Sequence, residues 1–84
     1  MKVYQKNPRI NQYGDKFWTN KYGDYHRENG LPAVEYVSGS NFWYKNGKLH
    51  RDNGLPAMEW SNGDKSWYDE NGDCYRIDDW IDKL

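Results

Sequence analysis

Hydrophobic and polar positions along this chain alternate in short bursts and never form long runs. Residues 33–37, 41–44, 48–51, 57–60 and 65–68 are each alternating or aromatic-rich, and Gly-containing turn signals separate them at short intervals. Period-two alternation bounded by Gly, Asn, Asp and Pro predicts strands joined by tight turns. Asn46-Gly47, Asn62-Gly63 and Asn71-Gly72 match two-residue type I′ hairpin turns, whose central residues both need φ > 0; Ser38-Gly39 and Tyr13-Gly14 stand in equivalent places. Glu28-Asn29-Gly30-Leu31-Pro32 and Asp52-Asn53-Gly54-Leu55-Pro56 are longer. Their Pro removes a backbone donor and fixes φ, which predicts wider ordered loops between hairpins. Only the C-terminus changes period: Ile77, Trp80, Ile81 and Leu84 form a helical stripe, with Asp78 placed to cap its start. So short a helix must dock, and the open end of the sheet is the natural place.

The bursts recur. G-D-Y-H-R-E-N-G-L-P-A-V-E-Y from Gly23 is answered by G-K-L-H-R-D-N-G-L-P-A-M-E-W from Gly47, a period of 24. G-x-x-x-W occurs at Gly14/Trp18, Gly39/Trp43 and Gly63/Trp67, and G-x-x-[HY]-R ends at Arg27, Arg51 and Arg76. Self-similarity at such a period means stacked copies of one supersecondary unit. The expected fold is all-β: one domain over 1–84, a meander of β-hairpin repeats closed by a short C-terminal capping helix. Full units span 23–46 and 47–71, a partial unit spans 1–22, and a second partial unit with the cap spans 72–84. Trp18 to Gly23 and Trp67 to Gly72 cover five positions whereas Trp43 to Gly47 covers four. A one-residue slip of this kind belongs in a turn, not in a packed strand.

Composition changes the picture of the core. Ile, Leu, Val and Phe number twelve of 84 residues, low enough for disorder to be considered, but five Trp, eight Tyr and a net charge of −1 argue against it. The rings replace an aliphatic core. One cysteine, Cys74, cannot form an internal disulfide, and residues 1–10 carry no leader pattern, so a cytoplasmic location is expected. No apolar run is long enough for a membrane helix. A pI of about 6.1 argues against a general polyphosphate binder.

Candidate chemistry is sparse. His26 and His50 could bind a metal or exchange protons, but they occupy equivalent places one unit apart, and Tyr75 replaces them in the third. The favoured reading packs each beside a ring, with a nitrogen bonded to the backbone of its own loop. Arg27, Arg51 and Arg76 persist through three units and read, with the His, as structural register residues in Arg–Glu or Arg–Trp ladders. Glu35 and Glu59 as a glycosidase-like pair lack any implied cleft. The pairs Phe17/Trp18, Trp43/Tyr44 and Trp67/Tyr68 place one ring on each sheet face. One row belongs to the core, and the other is expected to be a partner-binding surface, with Trp18, Trp43, Tyr44, Trp67, Tyr68, Tyr36 and Trp60 as candidates.

The H-R-x-N-G-L-P-A-x-E-[YW] and N-G-x-x-x-W-Y patterns, covering roughly residues 14–76, resemble MORN-like β-hairpin repeat proteins. The nearest variant carries H-R-x-x-G-P-A elements and is found in bacteria, phages and large DNA viruses. This chain departs from the pattern in lacking a G-x-G-x-x-x-x-G core and in inserting Leu31 and Leu55 before the Pro. The resemblance implies a hairpin meander with protein or lipid contacts and antitoxin-like roles, without catalysis or a cofactor. The expected function is a small phage or bacterial inhibitor of antitoxin or anti-defence type that contacts a toxin, nuclease or defence factor. RNA binding by ring stacking beside Lys45, Lys48 and Lys65 is the alternative, followed by a structural repeat protein; a homodimer would be a further way to cover the second face.

Overall fold

The computed structural model describes residues 7–75. Its strands are β1 (Arg9–Ile10), β2 (Lys16–Phe17), β3 (Val34–Glu35), β4 (Asn41–Phe42), β5 (Tyr44–Lys45), β6 (Lys48–Leu49), β7 (Met58–Glu59), β8 (Lys65–Tyr68) and β9 (Cys74–Tyr75). Every pairing is antiparallel, in the order β1-β2-β3-β4-β7-β8-β9, and β5-β6 form a separate hairpin. The described part is therefore all-β and built of hairpins. The helix expected over 77–84, and Arg76, lie outside the described residues.

Backbone bonds beyond the strands join these pieces into a meander. The Trp18 N–H donates to the Ala33 carbonyl while the Trp18 carbonyl accepts from His26, and Trp43 does the same with Ala57 and His50. N–H and C=O of one residue point to the same side of a strand, so 24–26 and 33–35 lie end to end along one neighbour. Segments 27–32 and 51–56 are excursions that leave this line and return to it.

The one-residue slip is resolved in the turns. At 60–64 the Trp60 N–H donates to the Asp64 carbonyl and the Gly63 N–H to the Trp60 carbonyl, a three-residue loop ending on a left-handed Gly. The same pair of bonds closes 11–15, 20–24, 36–40 and 69–73. Only Asn46-Gly47 closes β5-β6 as a two-residue I′ turn, with φ of 51° and 87°. The five-position spacers thus end in three-residue loops and the four-position spacer in a two-residue loop. This corrects the I′ expectation at Asn62-Gly63 and Asn71-Gly72, where only the Gly is left-handed. Side chains organise those turns instead: Asn62 Oδ1 accepts from the Asp64 N–H, and Asp69 Oδ1 accepts from Asn71 and Asp73. Asn29-Gly30 and Asn53-Gly54 inside the excursions carry paired positive φ in their place.

Lateral side-chain bonds stitch successive hairpins together. Asp15 Oδ1 accepts from the Val37 N–H at 2.8 Å, and buried Ser40 Oγ accepts from the Ser61 N–H at 2.9 Å. Both acceptors directly follow a turn Gly.

Candidate functional site

Strand alternation sorts the rings, and register aligns them from strand to strand. Phe17, Val34, Phe42 and Met58 are cross-strand neighbours and share one face; Lys16, Glu35, Asn41 and Glu59 share the other. One residue along, Trp18 and Trp43 fall on the Glu face, opposite Ala33 and Ala57. Those alanines are fully buried, and their small side chains leave room for the indoles.

The excursions close over the Trp face. Arg27 stacks on Trp18 with its guanidinium carbon 3.6 Å from the ring centroid, and Arg51 lies 3.7 Å from that of Trp43. Each Arg then donates from Nη1 to the Glu eight residues on, Arg27 to Glu35 at 2.9 Å and Arg51 to Glu59 at 3.0 Å. The same nitrogen also donates to the carbonyl of Pro32 or Pro56. Trp43 Nε1 donates to the Gly30 carbonyl, and Trp67 Nε1, 24 residues on, to that of Gly54. Loop, ring and strand are thereby locked at each step, with the charges compensated in place.

Trp18 and Trp43 are consequently buried, at 6% and 7% exposure. These two partner-binding candidates are not presented as open rings: stacked Arg side chains cover them. Trp67 is half-buried on the same face. The histidines also differ from expectation, because they bond to the following turn and not to the backbone of their own loop. His26 Nδ1 accepts from the Asn46 N–H while Nε2 meets Glu28; His50 Nδ1 faces the Asp69 carbonyl and Nε2 meets Asp52. They pin neighbouring hairpins together. No group of three or more His, Cys, Asp or Glu converges for a metal among the described residues.

On the opposite face the rings touch one another in an unbroken row. It runs from Tyr44 through Tyr25, Phe17, Tyr36 and Phe42 to Trp60, with centroid separations of 5.1, 6.0, 6.4, 5.2 and 4.9 Å. Most contacts are edge-on, the geometry that ring quadrupoles prefer. Val34 and Phe42 are buried at the base of the row, whereas Tyr25 and Trp60 are each 40% exposed. Tyr68 pairs across β8-β9 with Cys74 on this side. Burial is the main cause that raises the Tyr36, Tyr44 and Tyr68 hydroxyls above the usual phenol range. Neighbouring Tyr25 and Asp15 add to it at Tyr36, Tyr36, Tyr25 and Tyr68 at Tyr44, and Cys74 at Tyr68. Tyr36, Tyr44 and Tyr68 are therefore uncharged at neutral pH.

Tyr36, Tyr44, Tyr68 and Trp60 from the sequence candidates thus lie on the ring-row face, while Trp18, Trp43 and Trp67 lie on the other. Sequence reasoning leaves Phe17, Tyr25 and Phe42 out of the binding candidates. Phe17 and Phe42 could have been found by stepping one residue back from each Trp. Tyr25 leaves no repeat signal, because its equivalents are Leu49 and Cys74. No family model, curated protein or solved structure matches the chain, and no helix among the described residues is long and apolar enough to cross a membrane.

Proposed function

We propose that this chain is a non-catalytic binding protein that meets a protein partner through its ring-row face, as an inhibitor of the antitoxin or anti-defence kind. The observation that carries this reading is the asymmetry of the two faces. One is closed by its own excursions and paired charges, while the other presents contiguous Tyr, Phe and Trp rings that none of those excursions crosses. Tyr and Trp supply large contact area at small entropic cost and dominate interface energetics. On this reading the 24-residue units, with partial units and a helical cap at the ends, form the scaffold that aligns the rings.

The test is affinity purification of the tagged full-length chain beside a Trp60→Asp variant, with mass spectrometry of the eluates. Trp60 is 40% exposed, so the substitution tests the surface more than the core. We expect a discrete protein that is lost with the variant, survives nuclease treatment and elutes with shallow salt dependence. Equal recovery with both proteins would overturn the proposal, as would recovery of RNA alone with steep salt dependence.

A further inference from the structure

At the N-terminal end of the ring row lies a cleft of about 700 Å³, within the size range of small-ligand and peptide side-chain sites. Phe17 and Tyr25 form its aromatic part, their rings 6.0 Å apart and 23° from parallel. Backbone at the turn residues Gly23 and Gly47 lines one side. A Cβ built at Gly23 would meet nothing within 4 Å, so the wall is open there, whereas at Gly47 it would come within 3.3 Å of the Asp24 side chain.

Two charges border the cleft, Arg9 from β1 and Asp24 from the 20–24 turn. Arg27, Arg51, Glu35 and Glu59 are all held in ion pairs, whereas neither Arg9 nor Asp24 has a side-chain partner among the described residues. The Asp24 backbone is nonetheless fixed: its N–H donates to Asn20 Oδ1 at 3.1 Å and its carbonyl accepts from the Asn20 N–H at 2.9 Å. An aromatic cleft bordered by charges of opposite sign, without side-chain partners among the described residues, is complementary to an apolar group flanked by the reverse charges.

Resting on the reading of this face as a protein-binding surface, we propose that the cleft receives one large apolar side chain of the partner. That residue is flanked in the partner's chain by a carboxylate that meets Arg9 and a cationic side chain that meets Asp24. The apolar residue supplies the anchor, and the exposed charges select its orientation.

The experiment titrates acetyl-Asp-Phe-Lys-amide into the ¹⁵N-labelled full chain and follows backbone amide shifts. Saturable shifts at Phe17, Gly23, Asp24 and Tyr25 are expected. Replacing Lys by Gln in the probe should weaken binding to the wild type about threefold and leave binding to Asp24→Asn unchanged; replacing Asp by Asn should do the same against Arg9→Gln. Both positions are exposed, and the spectra themselves report that the variants are folded. Absence of saturable shifts at about 10 mM probe, shifts confined to other residues, or no dependence on either charge would overturn the proposal. Tighter binding of free phenylalanine than of the peptide would also overturn it, in favour of an amino-acid site. If the cleft fails while purification through Trp60, at the other end of the row, still recovers a partner, the face binds protein and only the cleft's role is lost.

Discussion

Replacing Arg51 by Ala removes several interactions at one point of the scaffold, the 3.3 Å bond to the Pro56 carbonyl among them. The guanidinium stack 3.7 Å above Trp43 is lost, a contribution of about 0.5–2 kcal/mol for a partly desolvated cation–π contact. The 3.0 Å bond to Glu59 is lost as well, at about 0.5–1 kcal/mol for a pair with 20% and 34% side-chain exposure. The Arg stem stops shielding a ring that is 7% exposed. Together these predict a loss of about 2 kcal/mol, or roughly 8–16 °C in Tm for a domain of this size. Arg51→Lys keeps the charge without the flat fork and should lose about half as much. Arg27→Ala should match Arg51→Ala within about 0.5 kcal/mol, because its stack and ion pair agree with those of Arg51 to 0.1 Å. Urea denaturation followed by tryptophan fluorescence, with thermal circular dichroism beside it, measures all three. A loss below about 0.5 kcal/mol for Arg51→Ala would refute the reasoning, since the stack would then be no better than solvation of both groups.

Gly47→Ala forces an L residue to φ +87° and brings its Cβ to 3.3 Å from Asp24 Cβ, so it should cost about 2–3 kcal/mol in denaturant titration, against about 1 kcal/mol for Gly30→Ala, where nothing lies within 4 Å. Ser40→Ala removes the acceptor for the Ser61 N–H and should lower stability by about 1 kcal/mol, with faster hydrogen exchange at Ser61 as the local signature. Tyr36, Tyr44 and Tyr68 hold their protons more tightly folded than unfolded, so the stability they contribute is complete below about pH 10 and is lost as pH rises through their raised values. Ultraviolet phenolate titration of the native protein should show a class of tyrosines ionising above the unfolded value, and a single class at the unfolded value would contradict this.

Strand positions were legible because alternation and Gly punctuation are local. Each predicted burst contains a strand, and Lys65–Tyr68 coincides with β8. The slip between Trp43 and Gly47 pointed to a turn for the same reason. Turn type was less legible: Asn-Gly reads identically at 46–47 and 62–63, and the difference lies in whether the preceding Lys45 or Trp60 closes a two- or a three-residue loop. The exposed face could not be read, since Trp18 and Phe17 differ only by which side the 27–32 excursion crosses. That choice is made by Arg27 reaching Glu35 eight residues away, with Trp43 Nε1 bonding Gly30 thirteen residues back. These contacts join segments whose spacing carries no local periodic signal.

Among the described residues strand order follows chain order, interrupted only by the β5-β6 hairpin, and this governs how the molecule forms. The widest pairings join β2 to β3 and β4 to β7, Lys16 with Glu35 and Asn41 with Glu59. No pairing among the described residues spans the chain from end to end. Every loop that must close is short, so the entropic barrier is low for a β protein, and contact order alone predicts folding faster than for a sandwich or barrel of equal length. Zipping can begin at any hairpin, with the β3-β4 and β5-β6 turns flanking Trp43 as the natural nucleus.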